Sequence, residues 1–121
     1  MKKHALKDAL KQFTGTTAYY KLFPRLLLTD GAKFLADNAE SYWLFDVFAS
    51  YLLTAIDGDQ EPFTCLVLTK ESDSALIQIT DGNARLLAEQ HIEFTDFALD
   101  TIKLYGCWDG SYWVVLLPSE Y

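Results

Sequence analysis

The chain has 121 residues, half of them hydrophobic, and a formal net charge of −7 at pH 7. This length predicts a single domain over residues 1–121, and the high apolar content excludes a disordered chain. No apolar run reaches the roughly 18 residues of a membrane-spanning helix, and lysines interrupt the N-terminal segment where a secretory signal would be apolar. We therefore expect a cytoplasmic protein that does not associate with a membrane.

The charge is distributed unevenly along the chain. Residues 1–33 carry seven basic and two acidic side chains, a net +5, whereas residues 34–121 carry three basic and fifteen acidic ones, a net −12. An acidic surface of this size repels a phosphate backbone, so the sequence argues against nucleic acid as a partner. The basic third is expected to lie against the acidic remainder of the fold, and its contact with nucleic acid is the weaker alternative.

The chain opens with a helical pattern and then becomes extended. Apolar residues recur at three-to-four spacing over 3–13, which predicts a short amphipathic helix with lysines on its other side. The aromatic segment 18–23 is expected to be extended, because Pro24 disfavours helical backbone at the residue before it.

The next stretch is open to two interpretations. Residues 26–28 are consistent with a short strand, and "TDG" after them is either a hairpin turn or the start of a helix over 31–38. We prefer the helix, because small and apolar residues line one side of it and Thr29 or Asp30 provides an N-terminal cap.

The segment "SYWLFDVFASYLLTA" (41–55) has the strongest helical pattern in the chain. Apolar and aromatic side chains cover nearly its whole circumference, so we expect it to lie between a sheet and either the N-terminal helix or a second copy. Its only polar line is Asp46, Ser50 and Thr54. Asp46 is therefore either on one solvent-exposed edge or buried in a pocket with Tyr42, Ser50 and an aromatic residue of the sheet.

After residue 62 the pattern changes to that of strands. Glycine-containing turns with Gly82 and Gly110 and other short connections predict antiparallel neighbours, so residues 62–118 are expected to form a meander. The fold class is thus predicted as α+β, with N-terminal helices packed on one face of a five- or six-stranded, mainly antiparallel sheet. The predicted strands are 63–70, 74–80, 85–94, 101–108 and 111–118.

The last strand carries large apolar side chains on both of its faces. One face is expected to meet the helix 41–55, and the other is covered by more protein or exposed. If Trp113, Val115 and Leu117 were exposed together, they would form a docking patch.

The residues that usually carry chemistry form no recognisable site, so no catalytic residue, metal or cofactor is predicted. The glycines are scattered at turns and form no phosphate-binding loop. A Cys107–His91 pair across the sheet would activate a thiol, but nothing in the sequence brings the two residues together. Cys65 and Cys107 are expected to be buried free thiols, and a disulfide between neighbouring strands is the alternative.

Three stretches resemble a family of small bacterial proteins of unknown function, associated with plasmids and other mobile elements. They are "LLLTDGAKFLADNAESYWLFDVFAS" (26–50), "IEFTDFALDTIKLY" (92–105) and "LLPSEY" (116–121). The resemblance implies a shared fold and an intracellular bacterial setting, and it implies no activity and no catalytic residue.

The leading functional prediction is a non-enzymatic protein-binding protein. Its partner would be a second copy, giving a homodimer, or a basic protein attracted to the acidic surface of residues 57–109. The alternative is a small enzyme or ligand-binding domain with a pocket between the helix 41–55 and the sheet. Aromatic residues often anchor interfaces, and the candidate binding residues are Tyr42, Trp43, Asp46, Ser50, Trp108, Tyr112 and Trp113.

Overall fold

The structure is a computed structural model and describes residues 2–121. Within this range three helices and seven strands follow one another, and a short 3₁₀ turn (Pro118–Glu120) ends the described elements. The elements are α1 (Lys3–Leu10), β1 (Tyr20–Phe23), β2 (Leu26–Leu28), α2 (Asp30–Asn38), α3 (Tyr42–Thr54), β3 (Phe63–Glu71), β4 (Ser74–Thr80), β5 (Leu86–Ile92), β6 (Thr101–Trp108) and β7 (Trp113–Leu116).

The seven strands form one sheet in the order β1-β2-β7-β6-β3-β4-β5. Neighbouring strands run antiparallel except β2 and β7, which pair in parallel. The prediction of an α+β fold with a mainly antiparallel sheet is confirmed. The predicted number of five or six strands is too low, because both short strands before α2 join the sheet.

The C-terminal strands do not form the predicted meander. β3, β4 and β5 follow one another as hairpins, but the chain then crosses back, and β6 pairs with the other edge of β3. The connection 93–100 crosses back because it buries Phe97 and Leu99 in the core. The amide of Thr95 donates a hydrogen bond to the carbonyl of Asp73 at 2.7 Å, which fixes the crossing at the β3–β4 turn.

All three helices contribute to one core on one face of the sheet. α1 supplies Leu6 and Leu10, and α2 supplies Leu35. Alternate sheet residues that face the helices, such as Leu66 and Leu104, are fully buried. The buried residues of α3 are Leu44, Phe45, Phe48, Ala49 and Leu52.

The opposite edge of α3 is exposed to solvent. Tyr42, Asp46 and Ser50 lie on it, and among residues 2–121 no second layer of protein covers them. The expectation that this helix is enclosed on both sides is therefore wrong for the single chain. Its aromatic side chains Trp43 and Tyr51 are half-buried and pack against the buried core residues.

The start of α2 is held by the segment that follows β7. Thr29 caps the helix by accepting a hydrogen bond from the amide of Ala32 at 3.3 Å, as predicted. The Glu120 carboxylate accepts a hydrogen bond from the Thr29 hydroxyl at 2.6 Å and another from the Gly31 amide at 3.0 Å. A side chain at Gly31 would collide with Glu120, because its Cβ would lie 2.6 Å from Oε1. Glu120 therefore fastens α2 to the end of β7, where a negative charge also suits the helix N-terminus.

Candidate functional site

The predicted pocket around Asp46 is not formed. Asp46 lies on the exposed edge of α3, which is the alternative in which the polar line faces solvent. The Tyr42 hydroxyl donates to Asp37 Oδ1 at 2.5 Å, and the Ser50 hydroxyl donates to the carbonyl of Val47 at 2.7 Å. Tyr42 thus bonds to the neighbouring helix α2 and Ser50 to its own helix, and neither surrounds a common cavity with Asp46 and a residue of the sheet.

The five predicted aromatic residues do not form one surface. Trp43 lies at the start of α3 and meets Phe97 edge-on, with ring centroids 6.2 Å apart. Trp108 and Trp113 pack together at 5.5 Å next to the opposite end of the same helix. Trp113 is only 2% exposed, whereas Tyr112 is 39% exposed. Trp113 is thus a core residue, because β7 is an interior strand of the sheet.

A cavity of about 270 Å³ opens where α3 ends above Trp108 and Trp113. The Arg25 guanidinium lies 5.2 Å from the centre of a Trp108 ring. The indole N–H of Trp108 donates to Asp59 Oδ1 at 3.1 Å, and Gly58 allows the loop to approach the indole closely. The cavity therefore combines a cation, two aromatic rings and two carboxylates, Asp57 and Asp59, each of which already accepts a hydrogen bond.

The face of the sheet that carries no helices, here called the open face, holds a second aromatic group. Phe63 and Tyr105 meet at 4.9 Å, and Tyr121 packs edge-on against each of them at 5.4 Å. Strand alternation and register place further apolar residues around this cluster. They are Leu27, Cys65, Val67, Cys107, Val114 and Leu116.

The open face is electrically balanced. Among the strand residues that point to it, Lys21 and Lys103 are basic and Glu71 and Glu89 are acidic. The whole chain, by contrast, has a net charge of −7. The acidic excess thus lies on the loops and the helical side, and the open face is the neutral part of an acidic protein.

Both cysteines are free and lie on the open face. Cys65 pairs with Tyr105 and Cys107 pairs with Phe63, so the two thiols occupy diagonal positions on β3 and β6. Burial raises the pKa of the Cys65 thiol and of the Cys107 thiol above the usual value. Raised pKa values leave little thiolate at neutral pH, which argues against either residue as a nucleophile.

The hypothetical Cys107–His91 pair is excluded by the register. His91 lies on the edge strand β5 opposite Leu76, whereas Cys107 lies on β6 opposite Phe63. Strands β3 and β4 separate the two residues. Among residues 2–121 no group of three His, Cys, Asp or Glu side chains is arranged to hold a metal ion. In the same range no helix is long and apolar enough to cross a membrane.

Comparison with known proteins identifies the family. The model of a family of unknown function, DUF6876, matches residues 4–121. The chain belongs to this family. No protein with a curated description is significantly similar to the chain.

One solved structure has a fold similar to that of this chain. It is the crystal structure of a protein of unknown function from Enterococcus faecalis, with a TM-score of 0.54 and 13% sequence identity. The match covers 80% of this chain and 90% of that one. At this identity the likeness concerns the fold alone.

The three stretches that carried the resemblance to a family meet in the folded DUF6876 chain. Thr29 of the first stretch bonds to Glu120 of the third. Trp43 of the first packs on Phe97 of the second. The residues that carry the resemblance thus have structural roles. Thr29 and Glu120 join α2 to the chain after β7, and Trp43 and Phe97 join α3 to the connection 93–100.

Proposed function

We propose that this protein is a non-enzymatic binding protein that associates with a second copy of itself through the open face. The observation that carries the proposal is the aromatic cluster of Phe63, Tyr105 and Tyr121 on a sheet face without helices. Tyr121 is 76% exposed, the largest exposure among the large hydrophobic side chains of residues 2–121. Exposed aromatic groups of this kind are typical anchors of interfaces.

Charge supports a second copy as the occupant. Two molecules of charge −7 repel each other at most orientations. The open face avoids this repulsion, because its two lysines balance its two glutamates. A two-fold arrangement also brings the cluster of one copy onto the cluster of the other, as in sheets packed face to face.

The size of the apolar area predicts a weak dimer. It extends over four adjacent strands, β2, β7, β6 and β3, which is about 15 Å at roughly 4.8 Å per strand. A stable complex buries roughly 800 Å² on each partner, more than a patch of this width provides. We therefore expect a reversible dimer with a dissociation constant of about 10–100 μM.

The substitution Val114→Glu tests the proposal. Val114 is half-buried on the open face between Leu27 and Cys107, so a carboxylate there does not enter the core. In a two-fold dimer it would place two unpaired negative charges near the interface centre. Sedimentation equilibrium should show a wild-type dimer and at least a tenfold weaker association of the variant, about 1.4 kcal/mol or more.

Leu53→Glu is the matched control, because Leu53 is 37% exposed on the helical side of the protein. This variant should associate like the wild type. A wild-type protein that stays monomeric up to about 1 mM contradicts the proposal, since a dimer with the expected constant would dominate there. Equal association of the Val114→Glu variant and the wild type contradicts it as well.

The cellular setting remains a prediction that belongs to this proposal. The cytoplasmic location is expected from the residue pattern, and the bacterial setting and the association with mobile elements are what the sequence resemblance implies. The matched family is one of unknown function, so it adds no partner and no process to them.

The cavity at the end of α3 favours a second candidate function, the binding of a small anion with a planar apolar part. Arg25 stacks on Trp108, and its guanidinium has no carboxylate within ion-pair distance among the described residues. A carboxylate ligand would pair with Arg25 while its ring packs between Trp108 and Leu53. This cavity differs in place and residues from the pocket that the sequence suggested around Asp46.

Benzoate is a suitable probe for this cavity, with benzylamine as a control of the same size and opposite charge. Benzoate should shift the Trp108 indole N–H resonance with a dissociation constant of about 1 mM or less, and benzylamine should not. Arg25→Gln should weaken the effect about tenfold, since it removes the cation that lines the cavity. Identical responses to the two probes contradict this candidate.

A further inference from the structure

The strand β5 forms a free edge of the sheet. It has seven residues, contains no proline and, within residues 2–121, pairs only with β4. The opposite edge, β1, has four residues and an irregular register with β2, so it offers much less backbone. The outward amides and carbonyls of β5 therefore form the longer unpaired edge of this sheet, which is a template for an added strand.

Exposed apolar side chains lie at both ends of this edge. Leu86 at its start is 50% exposed, and Phe94, just after its end, is 70% exposed. Next to Phe94 the chain forms a hollow of about 220 Å³, large enough for one side chain, that is lined by Trp43, Ile92 and Thr95. A strand laid along β5 would thus find an apolar contact at each end and one hollow beside it.

The surroundings of β5 are acidic. Residues 86–96 contain Glu89, Glu93 and Asp96, all exposed, and no lysine or arginine. The nearest basic residue along the chain, Arg85, is already paired with Glu61 and Asp81. A segment that binds here gains from positive charge, and a second β5 strand with the same acidic residues would be repelled.

We infer that β5 and the hollow beside it bind an extended segment of a partner protein in which basic and apolar residues alternate. The segment adds to the sheet beside β5, and its main chain takes the free hydrogen bonds of the edge. One apolar side chain enters the hollow beside Phe94, and its basic side chains face the carboxylates of Glu89, Glu93 and Asp96. Glu89 also borders the open face, but the aromatic cluster proposed for self-association involves β3 and β6 and not the β5 edge, so the inference does not depend on self-association.

The probe is a nine-residue peptide of alternating lysine and valine, acetylated and amidated at its ends. Two matched peptides complete the set. One has glutamate at every lysine position. The other keeps all lysines but has proline in place of the central valine, which removes a backbone donor and prevents a regular ladder. Binding is followed by amide resonances of the isotope-labelled protein.

The lysine–valine peptide should shift the amides of residues 86–96 and slow their exchange with solvent. The glutamate peptide and the proline peptide should each bind at least tenfold more weakly. The proline peptide separates strand addition from simple charge attraction, because both basic peptides carry the same charge. Equal affinity of these two basic peptides contradicts the inference.

Two variants of the protein locate the site. Phe94→Ser should weaken the peptide about tenfold without loss of stability, since this side chain is mostly exposed. Glu93→Lys combined with Asp96→Lys should favour the glutamate peptide over the lysine peptide. Val114→Glu, which disrupts the proposed dimer, should leave peptide binding unchanged. Shifts confined to other strands, or protection of β5 by raised protein concentration without peptide, overturn the inference.

Discussion

Replacing Phe48 with alanine is expected to lower the free energy of unfolding by about 3–5 kcal/mol. Phe48 is fully buried at the centre of α3, and its ring lies against Gly106 of β6, where a Cβ would come within 2.9 Å of the Phe48 Cζ atom. Truncation leaves a cavity between the helix and a glycine that has no side chain to fill it. The loss would be a large part of the 5–15 kcal/mol typical of a domain.

Urea unfolding followed by far-ultraviolet dichroism measures this effect. The transition midpoint should fall without a change in the slope. Phe94→Ala is the matched control, because the same change at a side chain that is 70% exposed should alter stability by less than about 0.5 kcal/mol. Equal losses in the two variants would mean that α3 is not packed on the sheet through Phe48.

Replacing Glu120 with alanine is expected to cost about 2–3 kcal/mol of unfolding free energy. Its carboxylate accepts hydrogen bonds from the Thr29 hydroxyl and from the amides of Gly31 and Leu117. The variant leaves two amides and a hydroxyl without their partner and removes a negative charge from the N-terminus of α2. The expected value lies below the sum of three charged bonds, because the site is only part-buried.

Glu120→Gln separates the contribution of the charge from that of the contacts. The amide oxygen can still accept from Thr29 and Leu117, but its NH₂ group would face the amide of Gly31, so about half of the loss is expected. Glu93→Ala serves as the control, since Glu93 is exposed and outside the helices and strands. Unchanged stability of the Glu120→Ala variant would show that the contacts to α2 contribute nothing.

The elements that depend on local pattern could be predicted from the sequence. The helix predicted over 41–55 is observed as Tyr42–Thr54, and the strand predicted over 74–80 is observed as Ser74–Thr80. Gly82 and Gly110 have the positive φ angles, 88° and 99°, that their turns predicted. In each case the residue pattern within one segment determines the backbone conformation, so contacts with distant residues do not change which element forms.

The order of the strands could not be predicted, because it depends on contacts between distant residues. Short connections suggested a meander, but burial of Phe97 and Leu99 outweighs the pairing of β5 with β6. Likewise, the sequence left Trp113 as a candidate for an exposed surface. Because β2 pairs in parallel with β7, β7 is an interior strand and Trp113 is buried. Parallel pairing between segments this far apart leaves no signal in local periodicity.

The candidate site was only partly visible in the sequence. The predicted aromatic residues Trp108 and Trp113 do lie together, yet the aromatic cluster on the open face consists of Phe63, Tyr105 and Tyr121. A signal for it existed in β3, where Phe63, Cys65 and Val67 alternate with buried residues and are themselves apolar. A strand with two apolar faces indicates either a second layer or an interface, and only the placement of all the helices on one side distinguishes these cases.

The most direct test of self-association through the open face is an isotope-filtered nuclear Overhauser experiment on a mixture of labelled and unlabelled protein, above the expected dissociation constant. Contacts between copies should join the rings of Tyr105 and Tyr121 to the methyl groups of Val114 and Leu116. Intermolecular contacts confined to α3, or to the edge of β5, would contradict the assignment of the open face as the dimer interface.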